Sequence, residues 1–460
     1  MAGQRTIDVA ALMERSHFTP LQKSVVALLC LLMSLEGYDM QALAYAAPAI
    51  VREWGTTRAA FGWVLSASLL GYLIGALGLT QFSDTAGRKR LIIGGALAFS
   101  VFTLATAFAT SPTHIWVLRF LAGIGLGGTM PTCIALVAEY VPARKRGTMI
   151  GLLFVGYTLG SALGGFLAAW MVPTFGWQSV FLVGGLAPLP IIAAIALWLP
   201  ESIRFLIVSN ARRERIVGIV RRLSDDSEIR GDEDFIVHEE PKQKIPVAGL
   251  FSNGRAAMTT LLWFAFVASF MGHHFLTTWL PTLMADAGLS LALATSVGAI
   301  FQLGGTAGSI LVGMMLDRWG IRIVAATFIF AALFVSPFGY LTGAGPVLLL
   351  LSFIAGTCVL GGQNGLNALS GSLYPTAMRA TGAGWALGVG RIGSISGPII
   401  GGYLLTAGVA QTTVFMLAAV PLLVCAAALF ALFGTVQRAQ SSDPAEDMAD
   451  TSAKLPQFAR

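Results

Sequence analysis

Apolar positions along this chain come in long unbroken runs rather than at the spacing of a soluble amphipathic helix. Twelve runs can be drawn, near 24–50, 60–82, 91–110, 115–138, 148–171, 178–199, 256–284, 292–316, 323–342, 346–373, 381–407 and 411–434. A helix of about 20 apolar residues crosses the hydrocarbon core of a bilayer. Most breaks are short and hold turn residues, as in "TSPTH" and "VPTFGW". The exception is 200–255, which is rich in charge of both signs. The pattern predicts an all-α membrane protein of twelve transmembrane helices. Its parts are a cytoplasmic tail (1–23), a six-helix bundle (24–199), a central cytoplasmic loop (200–255), a second six-helix bundle (256–434) and a cytoplasmic tail (435–460). The residues after about 437 are polar and are expected to be disordered.

Composition agrees. Only 11% of the 460 residues are charged and the mean hydropathy is +0.75, against about 25% charged in a soluble domain. No signal peptide with a cleavage site is expected ahead of the first run, where the chain is charged and has no apolar core. The four cysteines, Cys30, Cys133, Cys358 and Cys425, fall in apolar runs without metal-ligand spacing and read as packing residues. A net charge of +6 invites a nucleic-acid reading, but the placement of the cations removes it. Of 29 Lys and Arg, 25 lie in the tails and the even-numbered loops. Arg52 and Arg58 lie in an odd-numbered loop, and Arg119 and Arg391 inside helices. This is the positive-inside bias, and it puts both termini in the cytoplasm.

The chain also repeats. An offset of 233 in sequence number brings Pro48 onto Pro281, Gly55 onto Gly288, Gly71 onto Gly304, Gly75 onto Gly308, Asp84 onto Asp317 and Gly87 onto Gly320, and further pairs follow to Gly164 and Gly397. One offset held from the first helix of each half to the fifth marks a duplication. A shift of six helices preserves topology, so the halves are parallel repeats.

Ionisable residues inside the runs are the candidates for function. "SLEGYDMQALAYAAP" (34–48) carries Glu36 and Asp39 within the first run. Each acid at a helix centre costs roughly 2.5–3.5 kcal/mol. At i and i+3 they share a helix face. Two close carboxylates in a low-dielectric cavity do not both ionise easily, so such a pair can hold and release a proton. A structural ion pair with Arg119 is the alternative, and the two roles are compatible in different states. Arg119, in "RFLAGIG", either snorkels to the outer headgroups or faces the bundle near those acids. Arg391, in "GVGRIGSISGPIIGG", lies about ten residues into its run, too deep to snorkel. Its planar fork suits a carboxylate, either of a substrate or of an internal partner. His273 and His274 are candidates for a protonation or substrate role, or are simply hydrogen-bonded polar groups. Gln363, Asn364 and Asn367 form a stripe that faces a cavity or joins helices. Tyr38, between the two acids, is assigned with His274 and this stripe to the substrate.

Loop motifs complete the inventory. "FSDTAGRKR" (82–90) and its copy "GMMLDRWGIR" (313–322) place an acid among arginines at a helix end, a clasp between helices or plain membrane anchoring. The gating assignments are Asp84, Gly87, Arg88 and Arg90 with Asp317, Gly320 and Arg322. "NARRERIVGIVRRL" (210–223) reads as a basic amphipathic helix on the inner membrane surface. No phosphate-binding, metal or nucleophile constellation suggests an enzyme, and no cofactor, metal or nucleic-acid partner is expected.

These motifs resemble those of the major facilitator superfamily. "FSDTAGRKR" resembles its DxxGRR/K signature, with Thr80 where the family has Gly. "RFLAGIG" resembles its RxxxGxG motif and "LPESIRFL" its PESxR element. "EGYDMQALAYAAP" resembles the DGxD/EGxD element of the aromatic acid:proton symporters, and 361–398 is similar to the same family over its tenth and eleventh helices. The resemblance implies a major facilitator fold with a midplane substrate site between the halves. It implies an inner-membrane, monomeric proton symporter that works by alternating access in the lipid bilayer. Its substrate would be an aromatic carboxylate of benzoate, hydroxybenzoate or hydroxyphenylpropionate type. Alternatives are another organic anion such as muconate, a drug:proton antiporter, or a non-transporting nutrient sensor. The antiporter reading ranks lower because "GYTLGSALGGFL" in the fifth helix lacks the Pro such proteins carry there.

Overall fold

The computed structural model describes residues 6–15, 17–209, 211–224, 233–236, 246–341, 345–375 and 378–441. Among them, eleven helices are long and apolar enough to cross a membrane. They are Pro20–Trp54, Arg58–Phe82, Arg88–Thr106, Pro112–Tyr140, Ala143–Phe175, Gln178–Trp198, Ala256–Asp286, Leu291–Leu316, Arg318–Tyr340, Gly345–Ser372 and Gln411–Arg438. The predicted eleventh run is also helical, over Arg379–Thr406, but it holds Arg391 and many glycines and is not among those eleven. Below, spans keep the numbers of the twelve predicted runs. The last helix runs to Ser441, past its expected end near 434, and the expected disorder beyond falls on residues outside those described.

The duplication reappears as geometry. A Cβ added to Gly71 or Gly75 of span two would collide with the carbonyl of Phe120 or Ile124 on span four. Their counterparts Gly304 and Gly308 of span eight would collide with the carbonyls of Phe353 and Thr357 on span ten. The acceptors are related by the same offset as the glycines, so one backbone approach is built twice. Only a hydrogen side chain permits such an approach, and packing rather than hydrophobicity holds helices together in lipid. Chain reversals also match, because Gly87 and Gly320 take positive φ of 93° and 56°, a conformation that suits glycine.

The described residues form two compact units. One draws on the described residues within 1–40, 70–161 and 178–241, the other on those within 41–69, 162–177 and 242–460. In the first, Val9 and Met13 of a short helix, Val9–Arg15, are buried in one cluster with Ile216, Val217, Val220 and Leu223 of Arg213–Leu223. This corrects the surface-helix expectation, since protein rather than lipid covers that apolar face. The N-terminal segment is likewise more than a tail. Thr6–Asp8 pairs in parallel with Asp234–Ile236, with Thr6 opposite Asp234. In the second unit, the ends of spans one, two and five pack with spans seven to twelve. There the Ala59 N–H donates to Thr406 Oγ1 at 2.7 Å, and Ser66 Oγ donates to the Ile395 carbonyl at 3.0 Å.

Candidate functional site

In the first unit, spans one, three and four converge on a buried ion pair. Arg119 and Asp39 are each 0% exposed. Arg119 Nη2 donates to Asp39 Oδ2 at 2.7 Å and Nη1 to Oδ1 at 2.9 Å, the bidentate fork-to-carboxylate geometry. Nη2 also reaches the Asp39 carbonyl at 3.1 Å. Thr103 Oγ1 donates to Asp39 Oδ1 at 2.5 Å and accepts from Nη1 at 2.9 Å. A charge so deep needs a full set of partners, and these contacts provide one. Arg119 therefore faces inward and does not snorkel.

Glu36 is treated differently. It is 1% exposed, and its Oε1 has no hydrogen-bond partner. The two acids of span one thus share depth but not chemistry, one clamped and one unpartnered. Span five lies against this turn, because a Cβ on Gly37 would collide with the Tyr157 carbonyl and Ser161 Oγ donates to the Gly37 carbonyl at 2.8 Å. Tyr38, assigned to the substrate, donates instead to the Val180 carbonyl at 2.8 Å and is 5% exposed. In this conformation it tethers span six.

The second unit holds the other deep cation. The Arg391 guanidinium lies 5.3 Å from the centre of the Phe270 ring, in the position for a cation–π contact. Phe270 meets His274 edge-on at 5.9 Å, and His273 and His274 stack at 4.7 Å. His273 Nδ1 is buried with no hydrogen-bond partner. The span-ten stripe is tied into a network. Ser269 donates to Gln363 Oε1, Gln363 Nε2 donates to Asn367 Oδ1 at 3.3 Å, and Asn364 Nδ2 donates to Ser309 Oγ at 2.5 Å. Gln363 is buried, whereas Asn364 and Asn367 are partly exposed. Helix-joining therefore accounts for Gln363, and the two asparagines keep some accessible surface.

The loop motif after span two folds into a clasp whose acceptors sequence reading missed. Arg88 pairs with Glu139 of span four and donates to the Ala135 carbonyl at 3.2 Å. The Lys89 N–H donates to Glu201 Oε1 at 2.9 Å, and Glu201 belongs to the PESxR element. Gly87 has no room for a Cβ, because Glu201 Oε2 would lie 2.6 Å from it. Arg90 is exposed. In the second copy Arg322 lies over the Phe433 ring at 4.4 Å. The side chains of Asp84 and Asp317 lie outside those described. The signal for Glu139 and Glu201 was present, as acids at the cation-rich ends of spans four and six, but both are far from the loop in sequence.

The long apolar helices mark a multi-pass membrane protein, and its similarities place it among transporters. The family model described as Major Facilitator Superfamily matches residues 29–395 and 262–458. The chain is 38% identical over 427 residues to a gallate transporter of Pseudomonas putida, covering 92% of this chain and 95% of that one. It is 37% identical over 405 residues to the 4-hydroxybenzoate transporter PcaK of Pseudomonas aeruginosa, covering 87% and 90%. It is 33% identical over 422 residues to the 3-(3-hydroxy-phenyl)propionate transporter of Escherichia coli, covering 90% and 94%. The crystal structure of a bacterial homologue of the human lysosomal transporter Spinster superposes with a TM-score of 0.71 at 17% identity, covering 91% of this chain and 98% of that one. This chain belongs to the major facilitator superfamily and, within it, to the aromatic acid:proton symporter family.

Proposed function

We propose that the chain is a proton-coupled symporter that imports an aromatic carboxylic acid of benzoate, hydroxybenzoate or hydroxyphenylpropionate type by alternating access. The observation that carries the proposal is the unequal pair in span one, with Asp39 clamped by Arg119 and Glu36 buried beside it without a partner. A lone carboxylate in a low-dielectric interior is expensive, and a proton removes its charge. Protonating Asp39 would weaken its hold on Arg119, and Glu36, one turn away, is the nearest replacement acceptor on that helix. A proton entering this triad can therefore change which acid holds Arg119. That exchange is a means of coupling proton movement to conformation.

The substrate class is supported by relatives named for gallate, 4-hydroxybenzoate and 3-(3-hydroxyphenyl)propionate. All are aromatic carboxylates. Arg391 offers a fork for the carboxylate, Phe270 and the stacked histidines an aromatic wall, and Asn364 and Asn367 amides for ring substituents. The clasp of Arg88, Lys89, Glu139 and Glu201 serves as gating structure, with both termini in the cytoplasm. The chain acts as a monomer and draws on the proton gradient without a cofactor.

The experiment is uptake of labelled gallate, 4-hydroxybenzoate, benzoate and 3-hydroxyphenylpropionate into proteoliposomes with an imposed pH gradient. Accumulation of at least one acid is expected when the outside is acidic, with collapse on adding a protonophore. Accumulation that survives the protonophore would refute symport. Failure of all the acids to enter would refute the substrate class.

A further inference from the structure

The loop between spans one and two holds the two cations that defy the charge bias, Arg52 and Arg58. Cations are disfavoured on the side opposite the cation-rich loops, so these two need a reason to be there. In the second unit both line a cavity of about 980 Å³, together with Glu53, Thr56, Trp177 and Asp286. Arg58 holds Asp286 in a two-point pair, 2.6 Å from Nη2 to Oδ1 and 3.0 Å from Nε to Oδ2. The two side chains are 35% and 36% exposed. A pair so open to water is weakly held, and its geometry is already that of a carboxylate on a guanidinium fork.

The rest of the lining is left with open valences. Glu53 accepts from Trp177 Nε1 at 2.9 Å, which fixes its carboxylate to the wall. Arg52 is exposed and has no ion-pair partner among the described residues. Thr282, 1% exposed, lines the cavity with a hydroxyl that has no hydrogen-bond partner, and Thr56 Oγ1 is likewise unpartnered. Buried hydroxyls without partners are uncommon and costly. Val172 and Leu289 add apolar wall. Among the described residues the cavity thus presents an unpaired cation, a cation whose carboxylate can be exchanged, two open hydroxyls and a surface for a ring.

We propose that this cavity is an outer capture site for an aromatic carboxylate, in which the incoming acid displaces Asp286 from the Arg58 fork. The proposal rests on the aromatic acid reading above, and it adds a site remote in sequence from Arg391. Arg52 draws the anion in, Arg58 exchanges one carboxylate for another, and release of Asp286 loosens the contact between the second and seventh spans. Asp286 is then a competitor of the substrate as well as a tie.

The test uses a reporter cysteine in the lining, Ala49→Cys, labelled in intact cells by a membrane-impermeant maleimide and read above the background of the native cysteines. Benzoate should slow labelling at least threefold, and benzamide should not. Arg52→Gln or Arg58→Gln in the reporter background should abolish the protection. Asp286→Asn should have the opposite sign and lower the benzoate concentration for half-protection about threefold. If Ala49→Cys fails to reach the membrane, Leu289→Cys takes its place. No labelling from outside at either position, no protection, or equal protection by benzamide overturns the capture site. So does an Asp286→Asn variant that loses protection as Arg58→Gln does, since the pair would then be a tie only. Uptake of the four labelled acids is scored in the same cells. Uptake without protection removes the capture site and leaves the transport reading. Protection without uptake keeps the capture site and removes that reading.

Discussion

The two arginines that lie inside helices live in opposite circumstances. Arg119 is 0% exposed and clamps both oxygens of Asp39, its carbonyl and Thr103. Arg391 is partly exposed and presents its guanidinium to the face of Phe270. The repeat sharpens the contrast. At the repeat offset Asp39 falls on Gly272 and Arg119 on Ser352, while Arg391 moved back falls on Thr158. Neither half carries the other's cation. The glycine contacts of spans two and four are reproduced in spans eight and ten, so the duplication kept its backbone packing and changed its buried charge. The first half carries a closed, fully buried ion pair, and the second a partly exposed cation set against an aromatic ring.

The largest effect expected from breaking this contrast is at the buried pair. Removing one member of a buried ion pair strands the other, at a cost of about 3–5 kcal/mol. Arg119→Ala should therefore lower the thermal midpoint of the purified protein by many degrees and abolish uptake. Asp39→Asn should lose uphill uptake, while exchange of substrate down its own gradient continues. The neutral double variant, Asp39→Asn with Arg119→Gln, should recover much of the stability and none of the concentrative uptake. Recovery of both would make the pair a structural tie without a part in coupling. Glu36→Gln should impair uptake less severely and leave stability near that of the parent, since no hydrogen bond to Oε1 is lost.

Arg391 should behave in the reverse way. Arg391→Ala is expected to bind no substrate and to keep its thermal midpoint within a few degrees. Arg391→Lys keeps the charge but loses the fork, so it should bind about tenfold or more weakly. Equilibrium binding of the transported acid and its amide to the purified variants makes the measurement. Wild-type affinity in Arg391→Ala would move the anion site away from span eleven.

Much of this was legible in the sequence, because lipid forces long apolar runs and leaves each buried charge conspicuous. The runs followed from that, and matched glycines and prolines gave the repeat offset, but for Arg119 the pattern leaves snorkelling and facing the acids of span one both open, and the structure decides for the second. What a pattern cannot give is the choice among partners. Glu36 and Asp39 sit on one face by spacing, yet the bidentate fork of Arg119 fits one carboxylate, and the backbone carbonyl it also takes is that of Asp39. Tyr38 lies between the two acids in sequence, yet a tyrosine hydroxyl in an apolar interior needs an acceptor, and no spacing could name Val180 on span six as the one it takes. The amphipathic pattern at 210–223 reads as a membrane-surface helix because the residues buried in one cluster with its apolar face include Val9 and Met13, which lie far away in sequence and are too few to form a pattern.

The clasp gives the smallest and most discriminating comparison between the halves. Glu139 and Glu201, which hold the first loop, fall on Ser372 and Gly434 at the repeat offset, so the second half has no acids in those places. Arg322 there lies over Phe433 instead, a contact worth about 0.5–1 kcal/mol at an exposed site. Hydrogen bonds to a charged group are worth about 1.5–3 kcal/mol. Glu201→Gln keeps the shape and the acceptor oxygen but removes the charge beside Lys89. Losing the charge but not the bond should lower stability by about 1–2 kcal/mol. The uptake rate should fall several-fold, with substrate affinity unchanged. Arg322→Gln should cost less than about 1 kcal/mol and alter the rate little. If gating were shared evenly between the copies, the two variants would slow uptake alike. A larger loss in Glu201→Gln, with equal binding in both, would assign the clasp to the first half, where the buried pair also lies.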